Sequence, residues 1–599
     1  MRSYALALII SLSVACTAQA PGGAPPSAGE LKALLDADWS YWMAQHPELA
    51  TAFGHPGRHA GWTDYSAAAI AARAAYVRSS AQKLAAINRG ALTAAEQLNL
   101  DLYKDIVDAA VAGLEWDNEP VPIRGVIPHN LRMPMNQLEG LAQDVPLVIS
   151  QMPAASVADY EDIVKSLDAV PALVDQTIAL MEQGMKRGWT PPKITFRDVP
   201  SQVQGQIVDA TKSPLLDAFR KIPAAIGAAD QQRLVTAAEV AFNTHTKPAF
   251  QKLFDFLTTT YLPACRETTS VTALDGGARM YAYNVGWHTT SSETPQQIHE
   301  IGLAEVKRIR AAMDAVITET KFKGSFADFA TFLRTSPQFF YKDAPSLLTG
   351  YRDITKRIEP ELARLFGRLP QTPYGVAPVP DAIAPSQTTG YYQPGSLKAG
   401  RAGNFFANTY KLDMRPRWEM EALTMHEAVP GHHLQIAIGQ ELEGLPAFRN
   451  NSSYTAFVEG WALYSESLGY EMGFYKDPYA KFGQLTYDMW RAVRLVVDTG
   501  LHSMSWTRDH AIEFFASNTP KTRQDITVEV DRYIVWPGQA LGYKMGQLKI
   551  RALRTKAEQK LGAKFDVRGF HDLVLSQGAL PMAVLEQRVD EWIRMRLTS

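Results

Sequence analysis

His426-Glu427-Ala428-Val429-Pro430-Gly431-His432-His433-Leu434-Gln435 (HEAVPGHHLQ) is the stretch on which the reading of this chain turns. On a regular helix, two histidines four residues apart share a face and can hold one metal ion, with a glutamate after the first lying beside it. Here the fourth position after His426 is Pro430, and histidines return only at 432 and 433. At about 100° per residue His433 comes back into register with His426, but lies about 10 Å further along the axis. One zinc with bonds near ~2 Å cannot readily bridge that gap. His432, at about 600°, faces elsewhere on a regular helix. Pro430 forbids a regular helix, because it has no N–H and its ring clashes with the carbonyl of His426. Gly431 opens backbone conformations that other residues avoid. A break at Pro430-Gly431 that absorbs two residues returns His432 to His426. It favours His432 as the second ligand, with His433 the alternative.

A catalytic zinc takes three protein ligands and keeps a position open for water, so a third ligand is required. Glu441 and Glu443 come next in sequence, followed by Glu459 in YTAFVEGWALYSESLGY. Phe457, Trp461, Tyr464 and Leu468 give this segment a helical period, with Ser452 or Ser453 as expected caps. Glu459 lies among apolar residues, where an unpaired carboxylate is costly and metal ligation would offset the cost. It stands 27 positions after His432, room for a loop and a second helix. Glu466, seven residues on, shares the face of Glu459 and can orient a ligand histidine. Glu427, beside the first histidine, is placed to take a proton from an attacking water.

The rest of the chain bounds the reading. It has 599 residues, enough for roughly two to four domains. With 46% hydrophobic and 20% charged residues the composition is that of a globular protein. Sixty Lys and Arg against 62 Asp and Glu leave no field favouring nucleic acid, and no basic run is present. The N-terminus, MRSYALALIISLSVACTAQAPGGAPPSAGE, carries one arginine, then an apolar run from Ala5 to Ala15 too short to span a bilayer. Small residues and a Pro/Gly/Ser linker follow, as in an export signal. Cys16 after Ser13-Val14-Ala15 resembles a lipoprotein cleavage site and implies membrane attachment through a lipidated cysteine. Cleavage after Ala18 or Ala20 would give a soluble periplasmic form. Residues 1–20 are therefore read as signal and 21–29 as linker. Cys265 is the second of two cysteines, so no disulfide framework and no thiolate metal site is available.

Helical spacing runs through SAGELKALLDADWSYWMAQ and through SVADYEDIVKSLDAVPALVDQTIALMEQGMKRG. Thr294, Pro295 and Gln297 form the start signal of another helix. Strands are expected at KITF from Lys193, ARMYAYNV from Ala278 and GNFFANTY from Gly403. The fold class is mainly α with a small sheet. A weak boundary at 260–275 separates an N-terminal helical region, 30–265, from a catalytic region, 266–599, the two packing as one two-lobed unit. The Pro- and Gly-rich stretch from Arg368 to Gly403 reads as a long irregular segment.

HEAVPGHHLQ, FVEGWALYSE, RLVVDTGLHSMSW and VWPGQALGYKMGQLKIRALR together resemble the bacterial family called domain of unknown function 885, over most of the mature chain. That family is similar to the gluzincin metallopeptidases, and dipeptidyl peptidase III shows a related departure with one residue inserted between the histidines. The resemblance implies a helical fold with a deep central cleft, one zinc per chain held by His426, His432 and Glu459, and Glu427 as general base. Gluzincins often carry an acidic residue three or four positions after the glutamate ligand. Here Ala462 and Leu463 stand there, leaving Glu466 as the substitute. His502, Tyr533 and Tyr543 are the candidate donors to an oxyanion. GNFFANTY suits an edge strand that pairs with an extended peptide, with Asn408 contacting substrate backbone. The function expected is an exported zinc peptidase acting on short peptides, as carboxypeptidase or dipeptidase. The alternatives are a non-catalytic periplasmic binding lipoprotein of the same fold and a zinc hydrolase of cell-wall or small-molecule amides.

Overall fold

The computed structural model describes residues 26–598 except 125–127, 382–383, 385–386 and 398–399. The export signal and Cys16 lie outside the described residues. The protein is mainly helical with one three-stranded sheet. No helix among the described residues is long and apolar enough to cross a membrane. The first helix, Pro26–Gln45, begins inside the stretch read as linker. The long helical pattern before Gly188 forms Val157–Arg187, with Gly188 in the left-handed conformation as its stop. Thr294 caps Pro295–Glu319 through a full capping box with Gln297.

Two of the three expected strands are helical. Lys193–Phe196 is a single helical turn, and ARMYAYNV belongs to the helix Gly277–Thr289. Aromatic and β-branched residues suggested a strand there, but buried Met280, Tyr281, Val285 and His288 recur at helical spacing. GNFFANTY does supply a strand. It is β3 (Gly403–Ala407), flanked by β1 (Tyr374–Pro378), parallel to it, and β2 (Gly390–Gln393), antiparallel to it. β3 is therefore central, not an edge, and both its sides are already paired. Both flanking strands come from the segment read as irregular. Glu441 anchors its start by accepting the backbone N–H groups of Gln371 and Thr372.

Apolar packing does not follow the chain order. Residues from 28–123 share one apolar cluster with residues from 347–593, including the motif helices. Residues 135–265 form a second cluster. A third lies between Pro295–Glu319 and the almost wholly buried helix Pro478–Ser503. The helix that carries Glu459, Thr455–Leu468, crosses Leu541–Leu561 at glycines on both sides. A methyl group on Gly546 would stand 1.8 Å from the carbonyl oxygen of Ala456, and one on Gly460 would stand 2.6 Å from Gly546. Only glycine permits this approach, which seats the Glu459 helix rigidly against its neighbour.

Candidate metal centre

The motif folds as two short helices, Met420–Glu427 and His432–Gln440, joined by a tight turn. The Val429–Pro430 peptide is cis. Gly431 lies so close to the first helix that a Cβ would stand 2.0 Å from the carbonyl oxygen of His426. The break is held from the Glu459 helix. Trp461 donates its indole N–H to the carbonyl of Pro430 at 2.9 Å, and Ser465 donates its hydroxyl to the carbonyl of Met425 at 3.0 Å. No serine caps that helix; Tyr454 precedes its first residue without a side-chain cap.

The break brings His432 to His426. Their rings stand nearly perpendicular at 4.8 Å. Nε2 of His426 is 3.7 Å and Nε2 of His432 is 3.4 Å from Oε2 of Glu459. All three donor atoms lie within 4.8 Å of one another, and among the described residues this is the one grouping of three such side chains that could hold a metal ion. Tetrahedral ligands on zinc with bonds of roughly 2.0–2.1 Å stand roughly 3.4 Å apart. The buried Oε2 of Glu459 has no hydrogen-bond partner. Spacing and an unsatisfied carboxylate oxygen both fit a cation at the centre of the trio.

Glu466 accepts a hydrogen bond from Nδ1 of His426 at 2.8 Å, which fixes the tautomer that turns Nε2 toward Glu459. His433 faces away. Its Nδ1 pairs with the hydroxyl of Tyr392 at 2.8 Å, its ring packs on Tyr374, and burial pushes its pKa down to about 4. Burial opposes charge on His426, but Glu459 and Glu466 outweigh it and lift the imidazole to about 9. Burial alone would raise the Glu459 carboxyl, yet His432 and His426 hold it well below the usual range. Burial raises the Glu427 carboxyl, against the pull of His426 and His432. His426 and Glu459 thus each answer to a charge of opposite sign at their side.

A cavity of ≈ 290 Å³ opens on His426, Glu427, His432 and Glu459. β2 lines one wall with Gly390, Tyr391 and Tyr392, and Arg491, Arg494, Arg532 and Tyr543 line another. Tyr543 makes no side-chain hydrogen bond among the described residues, so its hydroxyl is free. A larger cavity, ≈ 530 Å³, lies elsewhere, lined by Glu48, Trp62, Leu141 and Trp287 among others, and holds no comparable metal-donor group.

Three expected site residues are committed elsewhere. His502 is fully buried, with Nδ1 accepting the N–H of Val271 and Nε2 meeting the carbonyl of Tyr533. Both ring nitrogens are occupied, so it is a structural histidine and not an oxyanion donor. Asn408 donates to the carbonyls of Ala384, Gln387 and Thr388 and accepts the N–H of Tyr410, so it organises a loop and has no group left for substrate. Tyr533 is buried behind the cavity wall; its hydroxyl donates to Glu529 and accepts from Arg494. Reading the sequence missed Arg491 and Arg494. Two arginines three apart in the largely apolar stretch WRAVRLVV, Trp490 to Val497, are the signal that could have found them.

Residues 47–589 match the family described as "Bacterial protein of unknown function (DUF885)". The chain belongs to this family. The crystal structure of a "putative lipoprotein" from Colwellia psychrerythraea is similar to this DUF885 protein with a TM-score of 0.87 and 29% identity, over 95% of this chain and 99% of that one. A second, a "putative lipoprotein of unknown function" from Shewanella oneidensis, gives a TM-score of 0.70 at 16% identity, over 93% of this chain and 99% of that one, and shows the shared fold. A comparison with curated proteins gives no match.

Proposed function

We propose that this DUF885 protein is a gluzincin-like zinc peptidase that hydrolyses short peptides. The observation that carries the reading is the convergence of Nε2 of His426, Nε2 of His432 and Oε2 of Glu459, a buried oxygen that accepts no hydrogen bond, on one point beside Glu427. Zinc, when bound there, would supply a Lewis acid that polarises a carbonyl and lowers the pKa of water. Glu427 lines the cavity and makes no side-chain hydrogen bond among the described residues, so its carboxylate is free to take the proton of an attacking water and pass it to the departing amine. Tyr543 offers a free hydroxyl to the negative charge that develops on the carbonyl oxygen. β2, an edge strand on the cavity wall, takes the peptide-pairing role expected of β3. Profiling a mixed peptide library by mass spectrometry tests the reading: zinc-loaded protein should cleave, and chelated protein should not. Intact peptides in both arms would overturn it.

Glu466 orients His426 without touching the trio's centre. Glu466→Gln should keep the fold and weaken zinc binding about 10- to 100-fold, read by competition with a chromophoric chelator. Unchanged affinity would show that His426 needs no such partner.

We also infer export with a lipid anchor at Cys16. The names of the two solved relatives and the Ser13-Val14-Ala15-Cys16 stretch support it. The mature protein should begin at Cys16 and carry added acyl mass; an unmodified chain starting at Gln19 or Pro21 would contradict this.

A further inference from the structure

We propose that Arg494, braced by Glu529 and Arg532, binds the C-terminal α-carboxylate of the peptide, so that the site works from chain ends. This rests on the peptidase reading and deepens it. Arg491 and Arg494 stand one turn apart on the helix Pro478–Ser503. Arg491 lies beside the metal trio, its Nη2 3.5 Å from Nδ1 of His426 and 3.6 Å from Glu466. Arg494 is therefore about 4.5 Å further along the same wall.

The charges of this wall do not balance. Arg494 donates Nη2 to Glu529 at 3.0 Å, and Arg532 donates Nη1 to the same carboxylate at 3.3 Å. One carboxylate thus serves two guanidiniums. Nη1 of Arg494 and Nε of Arg532 are buried with no acceptor. Arg494 is 4% exposed, and its guanidinium carbon lies 4.3 Å from the centre of the Tyr543 ring. Stacking and the Tyr533 hydroxyl hold the fork in one orientation. A cation so enclosed, and short of acceptors, calls for an anion from outside the protein. The cavity, at ≈ 290 Å³, is at the small end for a ligand site, and Arg494, Glu529 and Arg532 line it together with the metal trio. The anion every unblocked peptide offers is its α-carboxylate.

The test uses full-length mature Glu427→Gln protein loaded with zinc, which separates binding from hydrolysis. Trialanine, trialanine amide, N-acetyl-trialanine and alanyl-alanyl-aspartyl amide are titrated by calorimetry. Trialanine should bind roughly 10- to 100-fold more tightly than its amide, and N-acetylation should change affinity by less than about threefold. Adding Arg494→Met should remove the preference for the free acid; if that variant fails to fold, Arg532→Gln should reduce it. Equal binding of acid and amide, or tight binding of the aspartyl amide, would overturn the assignment. The two readings fail separately. Cleavage of acid and amide alike by the wild type overturns only the carboxylate site. A strong preference for the acid, with no cleavage of any peptide, leaves that site standing and overturns hydrolysis.

Discussion

His432→Ala should abolish stoichiometric zinc binding, while His433→Ala should leave it intact. The two histidines are adjacent in sequence, and the break at Pro430-Gly431 sends them in opposite directions. Nε2 of His432 stands 3.4 Å from Oε2 of Glu459, whereas His433 spends its Nδ1 on Tyr392 and its ring on Tyr374. Losing one of three ligands removes about a third of a binding free energy of order 10 kcal/mol, hence roughly 10²- to 10³-fold in affinity. His433→Ala instead loses a hydrogen bond and packing beside β2, a stability cost of about 1–3 kcal/mol. Metal content and thermal unfolding of the two variants separate these outcomes. Metal lost from the His433 variant and kept by the His432 variant would reverse the assignment.

Glu427→Gln should retain zinc and lose roughly 10³-fold in kcat. The substitution keeps the shape of a buried side chain that bonds to no neighbour, so the fold has little to lose. Among the described residues it removes the carboxylate at the trio that makes neither an ion pair nor a hydrogen bond: Glu459 faces both histidines, and Glu466 holds His426. Metal content is measured on the same sample as peptide hydrolysis. A variant that hydrolyses as fast as the wild type would move the proton-accepting role to another group.

What the chain revealed of this site is local and periodic. A proline at the expected ligand position, followed by glycine, forces a helix break whatever the surroundings. Seven-residue spacing puts Glu459 and Glu466 on one helix face, and the cap at Thr294 is written in four residues. The features that were hidden depend on partners distant in sequence. His502 looked available until Val271 and the carbonyl of Tyr533 occupied its nitrogens, and Asn408 until a loop 20 or more residues upstream took its amide. β1 and β2 lie in a segment whose prolines and glycines conceal strand periodicity; they are strands because β3 and Glu441 hold them in place. The roles of Trp461 and Ser465 exist only because the break leaves carbonyls for them to meet.

The central claim is that one metal ion sits between His426, His432 and Glu459. Crystals of zinc-loaded protein, measured on either side of the zinc absorption edge, test it directly. One anomalous peak per chain, roughly 2.0–2.2 Å from Nε2 of His426, Nε2 of His432 and a carboxylate oxygen of Glu459, is the predicted result. A peak at His433, or none at the trio, would contradict it.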